Sequence, residues 1–263
     1  MATPPGPRAR EERGSPAVLE VRVAPEIRFH LPPPHRAGVV RVPADPSATI
    51  GHVVQSIGVP LTEVGLLVLD GAPATASHRA VGRVLRVAPA PRPQPAPEPL
   101  RFVLDVHLGS LARRLRLLGL DVAYRTDAAD DELAAQATAE SRVLLTRDRE
   151  LLRRRPLSSP VPRLGAFVRG TDVEEQTADV LRRFAPVLAP WTRCLACGGR
   201  LVPAAKATVA DLLPAGTRRT YDDFARCAGC GRPFWRGAHG PGLDAAVRRA
   251  LTVLAASDGG AAP

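Results

Sequence analysis

The sequence predicts an α/β protein in three units: a β-grasp module, a parallel sheet wrapped by helices, and a cysteine-clipped ribbon. Three observations predict it. The run APAPRPQPAPEP at 88–99 divides the chain, because proline fixes φ and donates no backbone hydrogen bond and therefore reads as an extended, semi-rigid spacer. Beyond it, short apolar runs alternate with helical spacings, as in a parallel sheet built by right-handed crossovers. All four cysteines then fall in two C-x-x-C pairs. The expected divisions are a disordered start at 1–16, a β-grasp unit at 17–88, a linker at 89–99, the parallel unit at 100–190, a ribbon at 191–240, and a helix with a loose tail at 241–263.

Composition narrows the function classes. The 263 residues carry a formal charge of +10, which favours an anionic partner such as nucleic acid. The excess is strongest at the end: residues 191–263 hold 10 basic and 5 acidic side chains, against 15 and 13 in 100–190. Lys206 is the only lysine, so the arginine content partly reflects coding bias, and a basic surface can also be merely solvated. No run of about 18 apolar residues occurs, which excludes a bilayer-spanning helix. The start MATPPGPRAREERGSP has no apolar segment after its charges, which argues against a signal peptide and for a cytoplasmic setting.

In the first unit, LEVRVAPEIRFHL reads as extended. Ile50, Val53, Val54 and Ile57 recur at i, i+3, i+4 and i+7 behind a Thr49 cap, which predicts one helix. VGLLVLDGAP then enters a turn at Asp70-Gly71, and GRVLRVAP returns as a strand. An extended start, one helix and strands around a turn make a small β-grasp. The stretch TIGHVVQSIGVPLTEVGLLVLDG also resembles the ubiquitin-like sulfur carriers. Those act through a free C-terminal Gly-Gly, whereas this unit runs on into RVAPAPRP. A binding or structural module is therefore expected, with a protein partner as one role, and a carrier function is disfavoured.

After the linker, RFVLDV, DVAYRT, RVLLT and LGAFVRG read as strands, and LARRLRLLG, DDELAAQATAES, RELLRRR and DVEEQTADVLRRF as helices. In a parallel sheet the C-terminal strand ends share one side, and ligands bind in the crevice there. Three successive strands end in acid: Asp105, then Asp127, Asp130 and Asp131, then Asp148. Gathered carboxylates repel unless a cation sits among them. Mg²⁺ suits that role, taking one or two carboxylates and leaving positions for water and phosphate. Such an ion polarises a phosphoryl oxygen and activates water, so phosphodiester hydrolysis follows. The competing reading is helix capping, since Asp130 and Asp148 stand where N-caps are expected. Asp127 reads as a turn residue. His107, two residues past Asp105, would share its direction in a strand; metal-driven chemistry does not need it, and a structural role is expected.

At these residues a family resemblance appears. The segments D-x-x-L-G-x-L-A-R at 105–113, D-D-E-L at 130–133 and L-L-T-R-D-R at 144–149 resemble the RNase family named for the C-terminal part of the Mut-seven exonuclease, whose fold is similar to PIN nuclease domains. The likeness covers about residues 100 to 240. It implies a PIN-like α/β/α domain with Asp105, Asp131 and Asp148 as ligands of a catalytic Mg²⁺ or Mn²⁺, Asp130 as understudy, and Thr146 as a supporting hydroxyl. A β-grasp domain ahead of such a unit also occurs in the family. The chain departs from the family at Arg114, where a tryptophan is common; this cation either grips a phosphate or faces water. Arg113, Arg116, Arg147 and Arg149 are candidates to hold RNA phosphates, because guanidinium forks fit phosphate, with a solvated helix face as the alternative.

Cys194, Cys197, Cys227 and Cys230 supply four thiolates for one structural Zn²⁺. The 29 residues between the knuckles exceed the usual ribbon spacing, so an excursion must loop out. Disulfides are disfavoured by a reducing compartment, and redox chemistry is a weaker option. A closed four-cysteine site has no open position and catalyses nothing. FWRGAH resembles the family's W-x-G-x-H segment, and Trp235 is a candidate to stack on a base, though packing against the ribbon is the commoner fate; His239 need not be a ligand. The expected function is a metal-dependent ribonuclease acting on single-stranded RNA. The alternative is a noncatalytic RNA-binding adaptor that uses the basic ribbon.

Overall fold

A computed structural model describes residues 18–154, 157, 162–237 and 240–258. The start expected to be disordered, His239 and the end of the tail lie outside the described residues. Three sheets form. The first has the order β2-β1-β5-β3-β4, from β1 (Val18–Val23), β2 (Val39–Pro43), β3 (Val64–Leu69), β4 (Ala72–Ala74) and β5 (Val84–Pro89). Strands β1 and β5 run parallel, as a β-grasp requires. Helix α1 (Ile50–Ser56) is capped by Thr49, whose Oγ1 accepts from the His52 N–H at 3.2 Å. Ile50, Val53, Val54 and Ile57 bury against Leu19, Val21 and Leu85. The Asp70-Gly71 turn uses φ of 48° and 89°, a pair of left-handed positions that twists with the strands.

One extended expectation is corrected. Pro25–His30 is a 3₁₀ helix, with proline at its start and Ile27 and His30 buried three residues apart, a spacing that a strand does not bury on one face.

The second sheet is wholly parallel, in the order β7-β6-β8-β9. Its parts are β6 (Arg101–Leu104), α2 (Gly109–Leu117), β7 (Asp121–Tyr124), α3 (Asp130–Ala139), β8 (Val143–Thr146), α4 (Arg149–Leu152), β9 (Gly165–Phe167) and α5 (Val173–Phe184). Alternate side chains of β6 enter different cores. Phe102 and Leu104 pack with Leu111, Leu115, Val180 and Phe184, whereas Val103 packs with Leu133, Ala137 and Leu151. Both faces are thus covered, which is why β8 is buried throughout and apolar until Thr146, its last residue.

The linker is not a free spacer. Gln94 is buried, its N–H donates to the Arg183 carbonyl at 2.6 Å, and its Oε1 accepts from Arg183 Nε at 2.7 Å. Arg183 also donates to both Glu63 oxygens, at 2.8 and 3.0 Å, and Glu63 accepts from the Phe167 N–H at 2.9 Å. The prolines keep this stretch extended, but a buried ion pair beneath it welds the β-grasp unit to β9 and α5.

The third sheet is antiparallel, β10 (Leu201–Ala204), β11 (Phe224–Cys227) and β12 (Pro233–Phe234). The excursion between the cysteine pairs carries α6 (Lys206–Val209) and α7 (Ala215–Thr220). Helix α8 (Gly240–Asp258) returns to the parallel unit, where Ala250 packs with Leu118 and Leu181.

Candidate functional site

Asp105 and Asp148 follow the ends of the neighbouring strands β6 and β8; among the described residues the acids form no group of three or more close enough to share one metal ion. Asp105 is 5 % exposed and caps the 3₁₀ turn that follows β6. Its Oδ2 accepts from the Thr146 hydroxyl at 2.6 Å, and the same hydroxyl oxygen accepts from the Asp148 N–H at 2.9 Å. Thr146 is fully buried, so one hydroxyl fixes the ends of two neighbouring strands against each other. Asp148 caps α4: its Oδ1 accepts from the Glu150 and Leu151 N–H groups at 2.7 and 3.4 Å. Capping engages one oxygen and leaves the other, so the two readings of Asp148 are compatible.

Asp131 and Asp130 begin α3 and face the chain after α4, where Arg154 pairs with Asp131 and lies 3.7 Å from Asp130. Asp130 is not the cap; Ala129 holds that position, and its N–H donates to Glu132 at 3.2 Å. Nothing in the sequence singles Arg154 out of its arginine run. Asp127 is 84 % exposed, as a turn residue should be. His107 lies in the 3₁₀ turn and is exposed, so strand alternation does not aim it at Asp105.

The arginines divide. Arg113 is exposed on α2. Arg147 donates to the Gly170 carbonyl at 2.7 Å and Arg149 to the His30 carbonyl at 2.8 Å, and both side chains lie beside Asp148 in the chain. Arg116 corrects the phosphate expectation: it is 2 % exposed and donates to the carbonyls of Val122, Leu195 and Ala196. Its donors hold the first cysteine knuckle against β7, out of reach of RNA. Arg114 neither grips phosphate nor faces water, for it pairs with Glu174 at 2.6 Å. Arg249 binds the same carboxylate, and these hydrogen bonds draw Glu174 down to about 2.

The four cysteines converge, with every pair of sulfurs within 4.8 Å. Cys194 and Cys230 are 3.7 Å apart, and Cys197 and Cys227 3.4 Å. Zn–S bonds of about 2.3 Å at tetrahedral angles set sulfurs about 3.8 Å apart, so this cluster fits zinc. All four are free thiols. Gly198 and Gly231, at φ of 79° and 72°, turn the chain back after each pair. Burial pushes the Cys194 thiol up to about 12; at Cys227 burial also pushes upward, but amide N–H groups of Cys230 and Gly229 prevail and lower it to about 7. Trp235 is half-buried beside Phe224.

No helix among the described residues is long and apolar enough to cross a membrane. Comparison with curated proteins and with solved structures finds no significant match. The family described as Mut7-C ubiquitin matches residues 17–94, and the Mut7-C RNAse domain matches residues 100–247. With more than half of the sequence matched by that domain, the chain belongs to the Mut7-C RNAse family.

Proposed function

We propose that the chain is a metal-dependent ribonuclease that hydrolyses phosphodiester bonds of single-stranded RNA. The observation that carries this reading is the buried Thr146 hydroxyl bridging Asp105 and Asp148. That hydroxyl donates to the Asp105 carboxylate and accepts from the Asp148 backbone N–H, so the two acids follow neighbouring strand ends tied at one buried oxygen, and two carboxylates suffice for Mg²⁺ or Mn²⁺. Such an ion supplies charge for the transferring phosphoryl oxygen and a more acidic water. Asp105 and Asp148 would hold it, and Asp131 would join when an incoming phosphate draws Arg154 away, with Asp130 beside it. Thr146 keeps Asp105 oriented. Arg113, Arg147 and Arg149 offer donors to the RNA backbone. Zinc on Cys194, Cys197, Cys227 and Cys230 is structural, and thiolate ligation suits a reducing, cytoplasmic setting.

Cleavage of a defined single-stranded RNA, with and without EDTA and beside the Asp148→Asn protein, tests this. Loss of cleavage in EDTA and in the variant, with unchanged zinc content, is expected. Cleavage that persists in Asp148→Asn overturns the site. RNA affinity that falls with salt, ignores chelation and is accompanied by no cleavage identifies the adaptor instead.

A further inference from the structure

A cavity of about 640 Å³ lies on the ribbon, lined by Trp191, Tyr221, Phe224, Phe234 and Trp235. In a chain with 2 Trp, 2 Tyr and 6 Phe, it therefore holds both tryptophans, one tyrosine and two phenylalanines. A small core explains only part of this. Phe224 is buried against Val209 and Leu213, and Tyr221 and Trp235 pack against that cluster, yet Trp191, Tyr221, Phe234 and Trp235 all stay half-exposed.

Two further features mark the cavity as built. Trp191 takes a left-handed φ of 65°, which costs a bulky residue energy and persists only where the surroundings impose it. Here its backbone N–H donates to the Leu117 carbonyl at 3.0 Å. Gly237 leaves room for the other indole, since a Cβ there would lie 2.7 Å from Trp235 Nε1. The polar lining is mixed. Arg236 sits 4.9 Å from the Trp191 ring centre, stacked with donors to spare. Asp222 is engaged by Lys206 at 2.8 Å, whereas exposed Asp223 has no hydrogen bond or ion pair among the described residues.

The cavity is not part of the acidic crevice. Trp191 is anchored to the end of α2, and Arg193 binds Asp121 at the start of β7, at 3.1 Å. The acids stand at the other ends of the strands. Aromatic faces accept any base, and a carboxylate accepts from base amino groups.

We propose that this cavity takes one unstacked nucleobase of a single-stranded RNA, with the aromatic faces against the ring, its amino edge on Asp223 and a neighbouring phosphate on Arg236. RNA as the polymer rests on the ribonuclease reading; the pocket itself rests on its lining. Adenine, cytosine and guanine carry an amino group for Asp223. Uracil has a carbonyl oxygen in place of the amino group and keeps only its N3–H as a donor on that edge, and is disfavoured.

Because both tryptophans line the cavity, indole emission reports its occupancy alone. Full-length, zinc-loaded Asp148→Asn protein, titrated with short oligo(A), oligo(C) and oligo(U), is expected to show saturable quenching, weakest with oligo(U). Tyr221→Ala should weaken oligo(A) binding on the order of tenfold with zinc retained. If that variant loses zinc, Asp223→Asn replaces it and should narrow the gap between oligo(A) and oligo(U). Labelled oligonucleotide that binds by anisotropy without any change in indole emission overturns the pocket, as does binding by Tyr221→Ala equal to that of the parent. Cleavage by the unmodified protein is assayed in parallel. Cleavage without quenching sinks the pocket and leaves the nuclease; quenching without cleavage does the reverse, and no binding of any oligonucleotide removes both.

Discussion

A single carboxylate at position 148 serves both the helix and the proposed chemistry, and substitutions can separate the two. Asparagine caps a helix as well as aspartate does, whereas alanine costs about 1 kcal/mol. Thermal unfolding should therefore leave Asp148→Asn close to the parent and lower Asp148→Ala, with cleavage lost in both; equal melting of the two variants would remove the capping role. Arg116 makes the opposite case. Methionine there leaves the carbonyls of Val122, Leu195 and Ala196 without their donor, at a cost on the order of 2 kcal/mol or more. The salt dependence of RNA binding should not change, whereas loss of a phosphate contact would reduce its slope by about one. That Asp105 and Asp148 stand at one edge was legible in the sequence because a parallel sheet puts its strand ends on one side, whereas Thr146 entered only through the family resemblance. Arg116 was not: it stands three residues from Arg113 on one helix, and only the docking of the ribbon decides that the first is covered and the second is not.

Elements with a regular period were legible in the same way, and those held by distant contacts were not. Helix α2 ends at the glycine its sequence advertises. Gly119 has a φ of 87°, and a Cβ there would lie 1.9 Å from the Ala189 carbonyl oxygen. Gly119→Ala should lower the melting temperature and, in denaturant unfolding, cost more than the about 1–3 kcal/mol of backbone strain alone, because Ala189 must also move. The short strands and helices of the ribbon have no such signature. Their one cluster centres on Val209, Leu213 and Phe224, too little apolar surface to order some forty residues unaided. We propose that metal ligation by the four cysteines supplies the missing folding energy. Removing zinc with a strong chelator is expected to release hydrogen-exchange protection at Leu201 and Cys227 while Leu104 and Leu145 stay protected. A ribbon that keeps its protection after chelation would show that the cysteines fold it without metal.

The whole molecule depends on a buried charge pair that neither domain's own pattern reveals. Glu63 comes from the β-grasp unit, Arg183 from α5, and both are almost fully buried. The same interface reaches the acidic edge, since Arg149, adjacent to Asp148, is held by the His30 carbonyl. Burial by itself would raise the Glu63 carboxyl, but the Arg183 guanidinium and the Phe167 N–H overcome it and hold the group at about 2. His30 is pushed below its ordinary 6.5, chiefly by burial, against the opposing pull of the Glu63 carboxylate 3.9 Å from its Nε2. Both groups bind protons more readily in the unfolded chain, so both make stability fall as pH falls. His30 contributes as pH drops below about 6.5, and Glu63 as it drops from about 4.5 towards 2. Melting temperature measured against pH should therefore decline in acid. Glu63→Gln should start lower at neutral pH, by about 3–5 kcal/mol for the unpaired Arg183 it leaves, and then decline less steeply below about 4.5, having no carboxyl to protonate. Because the pair joins two domains, β-grasp and parallel-sheet signals should melt together in the parent protein. If the variant matched the parent at neutral pH, the ion pair would not be what fastens the domains, and the docked arrangement would rest on its other contacts, among them the Arg149 bond to the His30 carbonyl and the Phe29, His30 and Phe167 ring contacts.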